Sequence, residues 1–442
     1  MEMMLHYVWQ HKIFPLKELT TIDGMSVEVI SPGMHNTDAG PDFLNAKVKI
    51  GGMLWVGSVE VHLKSSDWFR HHHDTDEAYN SVVLHVTADA DCSVTCQSGA
   101  VPHQLVLAIP DYVRQNYNHL QQSDQMPPCH DVVGELPRLT VHNWMSRLFV
   151  ERLEMRTEQI MQRRELCNKN WEDTMFVTMA RNFGFGINGQ AFEQWAYSIP
   201  MSAVAKHRND LMQVEAIFFG QAGLLSDEVF SDEMGEKVSK DMYFQQLKNE
   251  YTYLQHKFSL HPISPTLWRF LRLRPQNFPH VRIAQLAMLY HEGRVTMSSL
   301  MNATDIGDLF SLLTPHVSPY WRTHYTFAHE STATADKQLT KSSKSLLVIN
   351  SVAPMLFAYG KYKSDEKMQE HALSLFEHLP SENNRFIRDW CAAGVACESA
   401  ADSQAIIHLT REYCQKHNCL RCRFGYEYIS RTPGFLKEEQ DL

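Results

Sequence analysis

The chain has 442 residues, 44% hydrophobic and 21% charged, with nine cysteines and a net charge of −10. That length exceeds one ordinary core, so two or three domains are expected, and the composition excludes a disordered or low-complexity protein. No stretch approaches the roughly 18 to 20 apolar residues of a membrane span, so no membrane partner is expected. The opening residues lack a signal-peptide pattern, and nine irregularly spaced cysteines point to free thiols, which together imply a reducing, cytoplasmic setting. Charge is uneven: residues 1–139 hold 8 Lys+Arg against 17 Asp+Glu, the remainder 33 against 34. The same first third carries 11 of the 24 histidines. An acidic, histidine-rich region favours divalent metal over direct phosphate contact.

In chain order, residues 5–13 read as a short helix, and Asp23-Gly24 marks a turn into the alternating strand Ser26 to Ile30. Pro32 to Pro41 is a loop by composition. Strands follow at 43–50 and 53–63, joined through Gly51-Gly52. Ser65-Ser66-Asp67 offers caps for a helical stretch running towards Tyr79, and a strand at 82–86 comes next, with a trailing hairpin at 93–97 and 104–109. From Asp111 the period becomes helical, interrupted by a linker at 123–139, and recurs at 172–182, 189–197, 208–219, 241–257, 281–290, 366–377 and 402–416. The fold class is thus α+β: an α/β domain with a mixed sheet over 1–122, the linker 123–139, and an all-helical domain over 140–442. Residues 320–345, polar and rich in Ser, Thr and Lys, read as a mobile insert.

The chemistry-bearing stretch is Gly40 to Phe43, Val59 to Lys64, and Asp67 to Tyr79. Side chains two apart on a strand share a face, so Glu60, His62 and Lys64 point one way and Val59, Val61 and Leu63 the other. Pairing through Gly51-Gly52 sets Phe43 opposite Glu60, with Asp42 one residue away. Two such carboxylates repel unless a hard cation such as Mg²⁺ or Mn²⁺ lies between them, although an exposed hairpin face with ordinary ion pairs is the plain alternative.

These residues resemble the PD-(D/E)XK nuclease superfamily over about residues 5–88. Its core runs helix, three strands, helix, strand, with a Pro-Asp opening the second strand and an acidic-x-Lys on the third. The resemblance makes Asp42 and Glu60 metal ligands. His62 stands where that family has lysine, which gives His62 the role of base and Lys64 that of phosphate stabiliser. His62→Lys would restore the family's pair. The whole chain also resembles an uncharacterised bacterial family of unknown function, through HNTDAGPDF (35–43), VEVHLKSSDW (59–68), RPQNFPHVRIAQLA (274–287) and CLRCRFG (419–425). That resemblance implies no activity.

Three further features complete the reading. His62, His71, His73, Asp67 and His85 offer a zinc site. Residues 251–291 contain no acid but carry Arg269, Arg272, Arg274 and Arg282, the first two on one face of a helical TLWRFLRL, which suits a nucleic-acid contact or an interdomain ion pair. Cys414, His417, Cys419 and Cys422 could close a second metal site, zinc or iron–sulfur, or pack as buried thiols. The function expected is Mg²⁺- or Mn²⁺-dependent hydrolysis of nucleic acid. A degenerate, non-catalytic nucleic-acid or protein-binding module and a zinc-dependent hydrolase are the alternatives, with oligomeric state left open.

Overall fold

In a computed structural model, residues 1–14, 19–226, 232–332 and 334–431 are described. The chain forms two compact units. One comprises Met1–Val141, Asp389–Val395 and the described residues from Leu409; the other comprises His142–Arg388 and Ala396–His408. The division differs from a linear split, because residues at the end of the chain belong with the sheet. Likewise the 123–139 segment packs within the first unit, with Cys129, Val132 and Val133 buried. Residues 432–442, counted with the helical part by sequence, lie outside the described residues.

The first unit is built on a mixed sheet. Helix α1 (Glu2–Gln10) precedes β1 (Val27–Ser31), β2 (Met34–His35), β3 (Phe43–Ile50), β4 (Met53–Lys64), β5 (Val82–Asp89) and β6 (His103–Val106). The order is β1-β3-β4-β5-β6, with β2 on β3. Strands β1, β3 and β4 are antiparallel neighbours, while β4–β5 and β5–β6 are parallel. Gly51 and Gly52 both take positive φ, +56° and +89°, which a two-residue turn matching strand twist requires. Residues 93–97 form no strand, so β6 joins β5 in parallel and the expected trailing hairpin is absent from the described residues. Alternation holds where it was read: Val59 and Val61 are buried on one face, and Glu60 and His62 on the other.

Register differs at one point that matters. Ala46 pairs with Gly57, as the hairpin arithmetic requires, but a bulge before it puts Phe43 opposite Val59 rather than Glu60. Asn45, at φ +56°, accommodates the extra residue. Asp42 is thereby brought opposite Glu60.

The second unit is helical, and its apolar periods reappear as Trp171–Phe183, Gly189–Ser198, Leu211–Gln221, Met242–Phe258, Pro279–His291 and Glu366–His378, around one core. Residues 320–345 are not a loose insert. Trp321 and Phe327 are buried, Lys337 donates its Nζ to the Trp321 carbonyl at 2.5 Å, and His324–Thr326 pairs with His329–Glu330. Two aromatic anchors suffice to fold an otherwise polar segment down. Among the described residues, no helix is long and apolar enough to cross a membrane.

Candidate metal centre

The site is assembled from the end of β4, the loop before β3, and the chain that follows β4. After β4 comes the single turn α2 (Asp67–Arg70), with Asp67 accepting from the Lys64 amide at 3.3 Å and pairing with Arg70 at 2.9 Å. The turn ends at His72 in left-handed backbone, φ +64°. There the His73 amide reaches back to the Trp68 carbonyl and the His72 amide to that of Phe69, the paired bonds of a helix stop. That reversal sends His71 and His73 to the same side while His72 faces solvent. Asp76 then caps a 3₁₀ turn, accepting from the Ala78 amide at 2.9 Å. The turn stacks Tyr79 on His73 with ring centres 3.7 Å apart.

Three imidazole nitrogens converge, and the Glu60 carboxylate reaches two of them. Glu60 Oε1 lies 3.5 Å from His62 Nε2 and 3.3 Å from His73 Nε2, and His62 Nε2 lies 3.1 Å from His71 Nδ1. Atoms bound at about 2.0–2.1 Å to one ion in tetrahedral array stand roughly 3.3 Å apart, so the spacing is that of a ligand set. His62, His71 and His73 alone place their nitrogens within 4.8 Å of one another. His73 Nε2 is buried without a hydrogen-bond partner among the described residues, despite its nearness to Glu60. His62 Nδ1 meets His85 Nε2 at 3.0 Å, a contact that fixes the orientation of the His62 imidazole.

Burial sets the protonation. Glu60 is 4% exposed and its carboxyl is pushed up to about 8 by desolvation, while Asp42 rises to about 6 through desolvation and then the Glu60 charge. His62 is driven down to about 2 by burial and by its neighbouring imidazoles, His85 first, and His85 itself falls to about 4. His73 is lowered as well, chiefly by burial. A ligand must offer a lone pair, and neutral imidazoles do so at every ordinary pH. The environment of His62 thus disfavours the role of base. An imidazole whose protonation is driven this far down is a poor proton acceptor at neutral pH.

Asp42 stands at the rim, its Oδ2 3.5 Å from His6 Nε2 of α1, with side-chain exposures of 24% and 18%. His6 went unread in the sequence, because α1 offers only a hydrophobic helix pattern and nothing local ties it to Asp42. Lys64 is exposed at the strand end, where its charge acts on Asp91. In the second unit, TLWRFLRL is not a helix. Prolines 265, 275 and 279 break the segment into short 3₁₀ turns, and Arg272 takes φ +65°. Arg269, Arg272 and Arg274 are exposed, whereas Arg282 is buried over Phe185, bonded to Gln285 and Asn277, and pushed down to about 10 by burial. Arg282 thus serves the core and is corrected as a phosphate contact.

Residues 2–385 match the model of a family described as Protein of unknown function (DUF2851). The chain belongs to that family. No curated protein and no solved structure matches it. The DUF2851 match includes Asp42, Glu60, His62, His71 and His73 and three of the four motifs read in sequence; Cys419 to Gly425 lies beyond it.

Proposed function

We propose that the first unit is a divalent-metal-dependent hydrolase of phosphodiester bonds in nucleic acid, with the ion held by Glu60, His62 and His73 and, on the open side, by exposed His71. The observation that carries the reading is Glu60 Oε1 at ligand spacing from two imidazole nitrogens, one of them buried and unbonded. A bound ion would acidify a water and offset negative charge on the substrate. Imidazole donors favour Mn²⁺ or Zn²⁺ over Mg²⁺. Asp42, at the rim beside His6, would accept a proton from that water.

The choice of phosphodiester rests on the run of helix, strands, helix and parallel strand, with Pro41-Asp42 and Glu60 at the positions the nuclease resemblance assigns. A zinc-dependent hydrolase of another substrate is the second reading. The acidic balance of residues 1–139 favours it, since negative charge repels phosphate. The test is metal titration of the full chain with Mg²⁺, Mn²⁺ and Zn²⁺, and cleavage assays on single- and double-stranded DNA and RNA. Metal-dependent cleavage lost in Glu60→Gln is the expected result. Stoichiometric metal without cleavage of any nucleic acid overturns the nuclease in favour of the second reading, and no bound metal leaves a non-catalytic module.

A further inference from the structure

A second group of metal-ligating side chains lies in the first unit, and the proposed hydrolase makes no use of it. Cys129, Cys414, Cys419 and Cys422 line one cavity, closed by apolar Leu120, Pro128 and Trp390. His417, the fourth member expected from sequence, is exposed at φ +54° and does not line it. Cys129 takes its place from far upstream in the chain.

Four thiols gathered in an apolar cavity are an improbable packing choice, since any hydrophobic side chain would fill the space as well. A metal group gives them a purpose, because bound metal deprotonates coordinating thiols.

Spacing separates one metal from several. Four sulfurs around a single zinc at about 2.3 Å stand roughly 3.8 Å apart. Among the described residues, the group of three or more His, Cys, Asp or Glu with ligand atoms inside 4.8 Å is His62, His71 and His73, and the thiols form no such group. They are thus not drawn in around a single ion. The order Cys414-x₄-Cys419-x₂-Cys422 with a remote fourth cysteine is also a spacing that iron–sulfur proteins use. We infer that Cys129, Cys414, Cys419 and Cys422 bind an iron–sulfur cluster.

The surroundings are built for it. Gln121 Nε2 lies 3.9 Å from Cys419 Sγ and donates to it, as N–H groups do to cluster sulfurs. A Cβ at Gly425 would fall 2.1 Å from the Cys419 carbonyl oxygen, so only glycine lets the helix Arg423–Ile429 close against the cysteine loop. That helix is also tied to Asp111–Gln122 by Asn116, whose Nδ2 donates to the carbonyls of Tyr428, Ile429 and Arg431. The cluster would staple the Cys129 segment to the last helix, closing a very long chain loop within one unit.

The proposal goes beyond the hydrolase reading and stands without it. The full chain, purified anaerobically from iron-replete cells, is assayed for iron, acid-labile sulfide and zinc. The expected result is iron and sulfide in roughly equal amounts, about two or four of each per chain, with a visible absorption band bleached by dithionite. Ser at each of the four cysteines should remove the band, whereas His417→Ala, Cys391→Ser and Glu60→Gln should keep it. If the cysteine variants fail to fold, the wild-type stoichiometry decides. Zinc without sulfide, or a metal-free protein whose nine thiols all react with a thiol reagent after unfolding, overturns the inference.

Discussion

The Asp42 amide donates to Glu60 Oε2 at 3.0 Å, and the Val61 amide, next after Glu60, donates to Asp42 Oδ2 at 3.0 Å. Each carboxylate is thus anchored by the other's strand, and Glu60 Oε1 is left to face the imidazoles. This reciprocal lock requires Asp42 to stand opposite Glu60, which the bulge at Asn45 provides.

Removing the charge of Glu60 should remove the ion. Glu60→Gln keeps the shape and an acceptor oxygen, but lacks the anion that balances a divalent cation. We expect at least a tenfold loss of Mn²⁺ or Zn²⁺ affinity by calorimetric titration, with little change in melting temperature without metal. Unchanged affinity would place the ion elsewhere.

The three consecutive histidines should separate cleanly. His71→Ala and His73→Ala should each weaken metal binding about tenfold or more. His72→Gly should leave it intact and stabilise the chain by up to about 1 kcal/mol, because the position is left-handed and exposed. Titration of the three variants side by side, with their thermal melts, checks both halves.

His62→Lys restores the glutamate-x-lysine pair of the nuclease resemblance, yet burial argues against rescue. His62 is 2% exposed, and its loss leaves His85 Nε2 without its partner, a cost of about 1–3 kcal/mol. The variant should melt several degrees lower, lose the ion and gain no Mg²⁺-dependent cleavage. Gain of cleavage would show that the imidazole is a substituted lysine rather than a ligand.

A pH signature should come from the helical unit. Glu215, 1% exposed, has its carboxyl pushed up to about 7 by burial, against hydrogen bonds from Tyr243 Oη and Ser318 Oγ that favour the charged form. Its unfolded value is near 4.5, so between about 4.5 and 7 the folded state holds more protons. Stability from this group is therefore full below 4.5 and lost as pH rises through 7. Glu215→Gln should melt close to wild type at pH 4.5 and above it at pH 8, by an amount of order 1–3 kcal/mol. A difference independent of pH would mean that Glu215 is charged in the fold.

Local periodicity was readable because it belongs to neighbouring residues. The helices of the second unit, the Gly51-Gly52 hairpin, and the shared face of Glu60 and His62 all follow from which side chains lie two, three or four positions apart. The acid-free segment misled for a reason equally local: its spacing looked helical, but prolines and the left-handed Arg272 divided it.

What only the tertiary structure decided is where separate segments meet and what burial then does to their chemistry. One extra residue before Ala46 shifted Asp42 onto Glu60, α1 brought His6 to Asp42, and Cys129 displaced His417 beside three distant cysteines. None of these pairings leaves a trace in spacing, because each is set by packing between stretches far apart in sequence. The same packing excludes water from His62, and that desolvation holds its imidazole neutral.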